Sequence, residues 1–258
     1  MRTYRKRWHN SLPIAPIKQG VGSIALVGSG EYLPVMAGLE GELLRAGISR
    51  GKKNTYVQLP TAAGQEDEKS VTRWRNLGQA QADHLGAECV FLPVYTREDA
   101  FRKELVELVQ GAGLIYFSGG DPHYLAATLH DTPLWRSITA EWESGASLGG
   151  CSAGAMIFGS EIMSIRKSHM QPGLKVIENF QIIPHYDRFL GWLPDRIAST
   201  IVSAKEGIYL LGIDEETALV RDGSSHLTEW RVWGEKKVHV LKGMSPQSFS
   251  AGEIIEFK

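Results

Sequence analysis

The 258-residue chain has two cysteines, Cys89 and Cys151, and no C-x-x-C pair. That argues against a disulfide framework, a thioredoxin-type motif and a cysteine-rich zinc site. An excess of one charge is lacking too: 28 Lys and Arg stand against 29 Asp and Glu, a net charge of −1. A nucleic-acid binder wants a basic stripe or face, so nucleic acid is not an expected partner. No apolar run approaches the ~18 residues of a membrane-spanning helix, so no membrane association is expected. His-x-x-x-His, H-E-x-x-H and carboxylate clusters are missing, so neither a metal nor another cofactor is expected. What is present is ordinary globular composition, 43% hydrophobic and 22% charged, which allows a sizeable core. Glycine is in excess, with 28 residues against a usual ~7%. Tight turns and close backbone approaches should follow.

Arg2, Arg5, Lys6 and Arg7 make the start of the chain basic. The apolar residues 11–17 are too few, and too broken by Pro13 and Pro16, for a signal-peptide core. Residues 1–20 read as a flexible basic extension, residues 21–258 as one domain, and the cytoplasm as its location.

From residue 23 short apolar runs alternate with helical patterns. Strands are expected at 23–27, 55–59, 89–92 and 114–117, and helices at 66–85, with Val71, Trp74, Leu77 and Leu85 inward, and at 98–109. The second helix is announced by Thr96 and Asp99 at capping-box spacing and shows Phe101, Leu105 and Leu108 on one face. Asp121-Pro122 and Thr132-Pro133 mark two more helix starts. Continuous apolar strands between helices mean a mostly parallel sheet covered on both faces, an α/β/α sandwich. Beyond about residue 216, Ala218, Val220, Val232, Val238 and Val240 fall in period-2 stretches around Asp222-Gly223 and Gly234-Glu235. These predict antiparallel hairpins closing one edge.

The sharpest local signal is Gly150-Cys151-Ser152-Ala153-Gly154, a G-x-S-x-G pentapeptide between a short strand and a helix-competent run. A nucleophile elbow needs that context: the turn is so tight that small residues must flank a strained nucleophile. Register selects Ser152, because glycines then stand at both −2 and +2; centring on Cys151 puts Ala153 at +2. A Gly/Ala-rich turn without chemistry would carry the same pattern. A second turn, Ser118-Gly119-Gly120-Asp121, ends the fourth strand. Strand C-termini form the ligand crevice of open α/β sheets, so Gly119 or Gly120 with Ala153 could supply oxyanion donors. Gly28-Ser29-Gly30-Glu31 fails the dinucleotide fingerprint, because Leu33 holds the last glycine position. Glu31 is left as a crevice-lining residue.

Of the histidines, His84 and His130 read as surface residues on helices and His239 as solvent-facing in a hairpin. His185 follows an apolar strand and is placed where a general base should hang. The acid to orient it could be Asp187, Asp214, Glu215 or Glu216.

Ser118-Gly119-Gly120-Asp121, Gly150 to Ala155, Pro172-Gly173-Leu174 leading to Ile183-Pro184-His185-Tyr186-Asp187, and Gly212 to Ala218 occur in an order that resembles the cyanophycinase and aspartyl dipeptidase (peptidase E-like) serine peptidases. The resemblance covers about residues 22–243. It implies the α/β/α fold of class I glutamine amidotransferases, with Ser152 as nucleophile, His185 as base, Glu215 as acid, and Gly120 and Ala153 as oxyanion donors. Cyanophycinases carry Gln where this chain has Pro122 and Asp where it has Ile183. Most of their arginines after the histidine are replaced, by Phe189, Leu190 and Gly191, with Arg188 remaining. A small peptide-like substrate other than cyanophycin is therefore expected, with Glu31, Asp121, His123, Asp187 and Arg188 lining its site. Asp187 is the foremost candidate to hold a substrate ammonium. A homodimer is open. The competing readings are an esterase using Ser152, Asp214 and His226 in α/β-hydrolase order, a Cys151-dependent amidotransferase-like enzyme, and a non-catalytic binding protein on the same fold.

Overall fold

The apolar runs become parallel strands in the computed structural model, which describes residues 21–163, 170–192 and 194–258. The basic extension over residues 1–20 lies outside the described residues. Strand β1 (Ile24–Val27) leads to α1 (Pro34–Ser49), β2 (Thr55–Leu59), α2 (Glu68–His84), β3 (Glu88–Phe91), α3 (Lys103–Glu107) and β4 (Leu114–Phe117). Helices α4 (Pro122–Leu129) and α5 (Pro133–Glu143) precede β5 (Ser147–Cys151) and α6 (Ala153–Phe158). Strands β1, β2, β4 and β5 are buried at every position, as strands covered on both faces must be. With β3 they pair in parallel in the order β1-β5-β4-β2-β3.

Helices α1 and α2 cover one face, where Met36, Leu39, Leu43 and Ala82 pack with Tyr56, Tyr116 and Cys151. On the other face Leu125 of α4, Ile138 of α5 and Phe158 of α6 meet Val57, Ile115 and Phe117. The N-caps are those read from sequence: Asp121 accepts from the N–H groups of His123 and Tyr124, and Thr132 from that of Trp135. Each satisfies donors that a helix start leaves open.

The chain continues through β6 (Glu161–Ile162), β7 (Gln171–Pro172), β8 (Phe180–Ile183), α7 (Tyr186–Trp192), α8 (Pro194–Ser203) and β9 (Tyr209–Ile213). It ends in β10 (Thr217–Arg221), β11 (Glu229–Gly234), β12 (Lys237–Lys242), β13 (Gln247–Ser250) and β14 (Ile254–Glu256). Strands β10, β11 and β14 extend the main sheet beyond β1 in antiparallel fashion. The Gly234-Glu235 turn, however, is not a hairpin. Strand β12 leaves the main sheet for a second sheet, ordered β13-β12-β9-β8, and the Glu235 N–H at the crossing donates to Glu216 O instead. Within it β8 and β9 run parallel with Ile183 opposite Gly212. The two sheets touch at Gly28, where a Cβ would lie 2.0 Å from the Asp214 carbonyl oxygen. Only glycine lets the end of β1 approach the end of β9 so closely.

The helix expected at 98–109 is divided into a 3₁₀ turn at Asp99–Phe101 and the short α3, with extended Arg102 between them. Phe101 and Leu108 are exposed, while Ala100, Leu105 and Val109 are buried and Val106 packs against the core. The extended Arg102 interrupts the turn, and neither piece is long enough to propagate a helix by itself. In α2 the buried residues are Gly78, Gln81 and Ala82, while Val71, Trp74, Leu77 and Leu85 are half-buried. Among the described residues no helix is long and apolar enough to cross a membrane.

Glu40 of α1 is fully buried and accepts a 2.7 Å hydrogen bond from the Tyr56 hydroxyl. Burial outweighs that bond and raises its pKa from 4.5 to about 7. Between those values the folded state keeps a proton that the unfolded chain releases. Stability therefore falls as pH rises from about 4.5 to about 7 and is level above, a loss of ~3 kcal/mol. Glu40→Gln keeps an acceptor for Tyr56 and should unfold in urea ~2 kcal/mol later than wild type at pH 8. At pH 4.5 the two should unfold together; a shift of the same size at both pH values contradicts the titration.

Candidate active site

Strand β5 ends at Cys151, and Ser152 turns the chain directly into α6 with φ 50 and ψ −104. For a residue with a side chain this conformation costs ~1–3 kcal/mol and persists only where its surroundings hold it. Here the Ser152 N–H is anchored on Val27 O at 2.9 Å. The flanking glycines are steric necessities: a Cβ on Gly150 would lie 2.5 Å from Gly154, and one on Gly154 would lie 2.6 Å from Phe117 O. Ser152 makes no side-chain cap bond to its own helix. Its Oγ lies instead 3.0 Å from His185 Nε2, and His185 Nδ1 lies 3.0 Å from Glu215 Oε1.

The second sheet makes this meeting possible. Because β8 and β9 are parallel and in register at Ile183 and Gly212, the residues just past each strand emerge side by side. His185 leaves β8 with φ 49, and Glu216, next after Glu215, has φ 55. With Ser152 and Tyr32 (φ 64), four of the six described non-glycine residues with positive φ stand in or beside the site. Each such angle costs ~1–3 kcal/mol and persists only where the surrounding structure holds it.

The Gly-Gly turn after β4 faces the elbow, since a Cβ on Gly119 would be 3.5 Å from Ser152 Cβ. Its N–H groups are not equivalent. Gly119 donates to Glu31 Oε1 at 3.0 Å, and Asp121 donates to Ala62 O at 2.8 Å. Gly120 between them has φ 141, and neither its N–H nor that of Ala153 meets a backbone acceptor among the described residues. The turn by itself leaves Gly119 or Gly120 open and the resemblance points to Gly120; in the structure the N–H groups of Gly120 and Ala153 are the pair without a backbone acceptor among the described residues.

Two residues expected to line a substrate site meet Glu215. Arg188 Nε lies 2.8 Å from Glu215 Oε2. Asp187 Oδ1 accepts from the Glu215 N–H at 3.1 Å, and its Oδ2 binds Lys236 Nζ at 2.5 Å. Burial alone would raise the Asp187 carboxyl, but Lys236 and the Glu215 N–H outweigh it and hold it below the usual carboxylate range. The first turn of α7 begins right after His185, which puts both side chains over the end of β9. Lys236 has no sequence signal, because a strand crossover, not a local motif, brings it here.

The other candidates fall elsewhere. Asp121 is occupied as the cap of α4. His123, on the first turn of that helix, is half-buried with Nδ1 enclosed and unpartnered. Asp214 binds His239 Nε2 at 3.1 Å. His239, read as solvent-facing, is instead half-buried: its Nδ1 meets Ser248 Oγ at 2.8 Å, and the Tyr186 ring lies 4.7 Å away. His226 follows Arg221, which pairs with Ile24 at the opening of β1, whereas Ser152 follows the residue paired with Val27 at its close. The Ser152, Asp214 and His226 combination is therefore not assembled. Cys151 is fully buried, and burial followed by the nearby Glu31 pushes its thiol well up. Its Sγ donates to Glu31 Oε2 at 2.8 Å, the opposite of an activated thiolate.

Comparison with known proteins agrees with the resemblance read from sequence. The sequence model of peptidase family S51 matches residues 25–228. Cyanophycinases of Synechococcus elongatus and Geminocystis herdmanii are 28% identical over 180 residues and 27% identical over 173. These matches take in 65% and 63% of this chain but 51% and 61% of those proteins, so the chain spans about half the length of the first of these curated relatives. The crystal structure of a peptidase from an acI-B1 actinobacterium superposes with TM-score 0.87 at 51% identity, covering 93% of this chain and 99% of that one. A peptidase E-like protein from Listeria monocytogenes shares the fold at TM-score 0.58 and 20% identity, covering 84% of this chain and all of that one.

Proposed function

The chain belongs to peptidase family S51, and from that premise we propose that it is a serine peptidase or amidase acting on a small peptide-like substrate through Ser152, His185 and Glu215. The observation that carries this reading is the unbroken line from Ser152 Oγ to His185 Nε2 and from Nδ1 to Glu215 Oε1, with both contacts at 3.0 Å. His185 takes the Ser152 proton as Oγ attacks the scissile carbonyl, and later delivers it to the leaving amine. Glu215 keeps the Nδ1 proton on its own side, so that Nε2 presents a lone pair to the hydroxyl. The developing oxyanion is received by the N–H groups of Gly120 and Ala153, the latter opening α6.

For the substrate, Asp187 is the weaker candidate to hold an ammonium, since both its oxygens are engaged, by the Glu215 N–H and by Lys236.

A fluorophosphonate probe tests the chemistry without knowledge of the substrate. The wild type should be labelled once per chain, with the adduct mapped by mass spectrometry to the peptide bearing Ser152. Cys151→Ser and His226→Ala should label at rates within ~3-fold of wild type, since neither group reaches the nucleophile. An adduct on Cys151, or labelling lost with His226, would replace this assignment by one of its competitors. A folded wild type that takes no label would favour a binding protein.

A further inference from the structure

The geometry points to Glu31 and Tyr32 as positioning residues that fix the oxyanion turn against the nucleophile, with Glu31 spanning two strand ends through a single carboxyl group. This inference rests on the assignment of Gly120 and Ala153 as oxyanion donors. Glu31 follows the Gly28-Ser29-Gly30 turn after β1, and β1 lies next to β5, which lies next to β4. From there Oε1 accepts the Gly119 N–H at 3.0 Å, beyond β4, while Oε2 accepts the Cys151 thiol proton at 2.8 Å, at the last residue of β5. Tyr32, buried and held at φ 64, places its hydroxyl 2.8 Å from Ser118 Oγ. Ser118 and Gly119 are thus fixed from the β1 turn, and Asp121 is fixed by Ala62 O.

Gly120 stands between these anchors with its N–H unclaimed. A donor stabilises an oxyanion only when already aimed at it, at 2.7–3.1 Å and before the charge develops, and tolerances at such sites are about 0.5 Å. Glycine at position 120 cannot hold its own dihedrals, so the aim must come from its neighbours. Glu31 also occupies Gly119's N–H, which would otherwise be free to compete for the orientation of the turn.

The test separates reach from charge. Glu31→Gln keeps the length and an acceptor oxygen for Gly119 but loses the carboxyl. Glu31→Asp keeps the carboxyl but is one methylene short of bridging Gly119 and Cys151. Inactivation of the full chain by a fluorophosphonate is followed to obtain kinact and KI separately, with circular dichroism and Tm for each variant. Glu31→Gln, which keeps the Gly119 bond but loses the acceptor for the Cys151 thiol, should lose ~10-fold in kinact. Glu31→Asp and Glu31→Ala should lose ~10²-fold, the effect of one misplaced oxyanion donor, with KI moved by less than ~3-fold. Tyr32→Phe, which removes the hydroxyl alone, should lose ~10-fold in kinact.

A simple packing role would lower Tm and leave kinact of the folded fraction untouched, and that result overturns the inference. So does faster labelling of Asp than of Gln, which would make charge the operative property. If Glu31→Ala does not fold, the Gln and Asp pair still decides. Ser152→Ala runs in parallel: label persisting there refutes the Ser152 assignment itself, a failure distinct from wild-type kinact in the Glu31 variants.

Discussion

Ser152→Ala is expected to reduce turnover by ~10⁶-fold, His185→Ala by about as much, and the double variant by no more than either alone. The reason is geometric: the hydroxyl makes no bond to its own helix, and its polar side-chain partner is His185 at 3.0 Å. Without the imidazole, the Ser152 proton has no acceptor and the oxygen stays a weak nucleophile. Without the hydroxyl, the imidazole has nothing to deprotonate. The two therefore act as one unit, and their losses cannot add. A residual rate of ~10³-fold over water should persist in all three variants, because the Gly120 and Ala153 donors remain. Rates of fluorophosphonate labelling, followed by hydrolysis of a peptide recovered from a library, provide the measurement. Losses that multiply in the double variant would mean that His185 acts on something other than Ser152.

Glu215→Gln should cost ~10⁴-fold, more than an isosteric change at a residue that never touches substrate would otherwise suggest. Arg188 Nε donates to the Glu215 oxygen on the side away from His185. In the Gln variant the amide oxygen must face Arg188, because the amide nitrogen cannot accept that bond. The NH₂ is then turned toward His185 Nδ1, where it favours the tautomer carrying its proton on Nε2. That tautomer cannot take the serine proton. A second substitution follows from the same logic: Arg188→Met in the Gln background frees the amide to turn over and should restore labelling ~10-fold or more, within the 10⁴-fold loss. A Gln variant within ~10-fold of wild type would exclude Glu215 as the acid. Glu216, packed beside Gly30, would then be the next residue to replace.

Much of this architecture is legible in the amino-acid sequence. The buried strands β2 and β4 occupy the runs 55–59 and 114–117, because continuous apolar segments bounded by Gly and Pro have few other solutions. The caps Asp121 and Thr132 are local and equally readable. Position along the chain also suggests Ser152 and His185, since each follows a strand end; for the acid it leaves Asp214, Glu215 and Glu216 open after β9, and the resemblance points to Glu215. What is not legible depends on which strand pairs with which. The alternation of Val238, His239 and Val240 predicts a solvent-facing histidine, but β12 joins β9 and α7 lays Tyr186 over that histidine. The Gly234-Glu235 pair looks like a hairpin turn, yet it is the point where the chain changes sheets. Asp187 and Arg188 are read as substrate contacts because they follow His185. Both also meet Glu215, which is 28 residues from Asp187, and no local pattern encodes that distance.

The positive φ angles at Ser152 and His185 carry a consequence for anyone improving this protein. Glycine is at ease at such angles, so replacing either residue by glycine relieves the backbone while, on the proposed mechanism, removing the nucleophile or the base. A library sorted only for survival on heating is therefore drawn toward glycine at the two positions where it does the most harm, and its most heat-resistant members will include inert ones. Robustness and turnover pull in opposite directions at these two sites, and a screen for one must count the other.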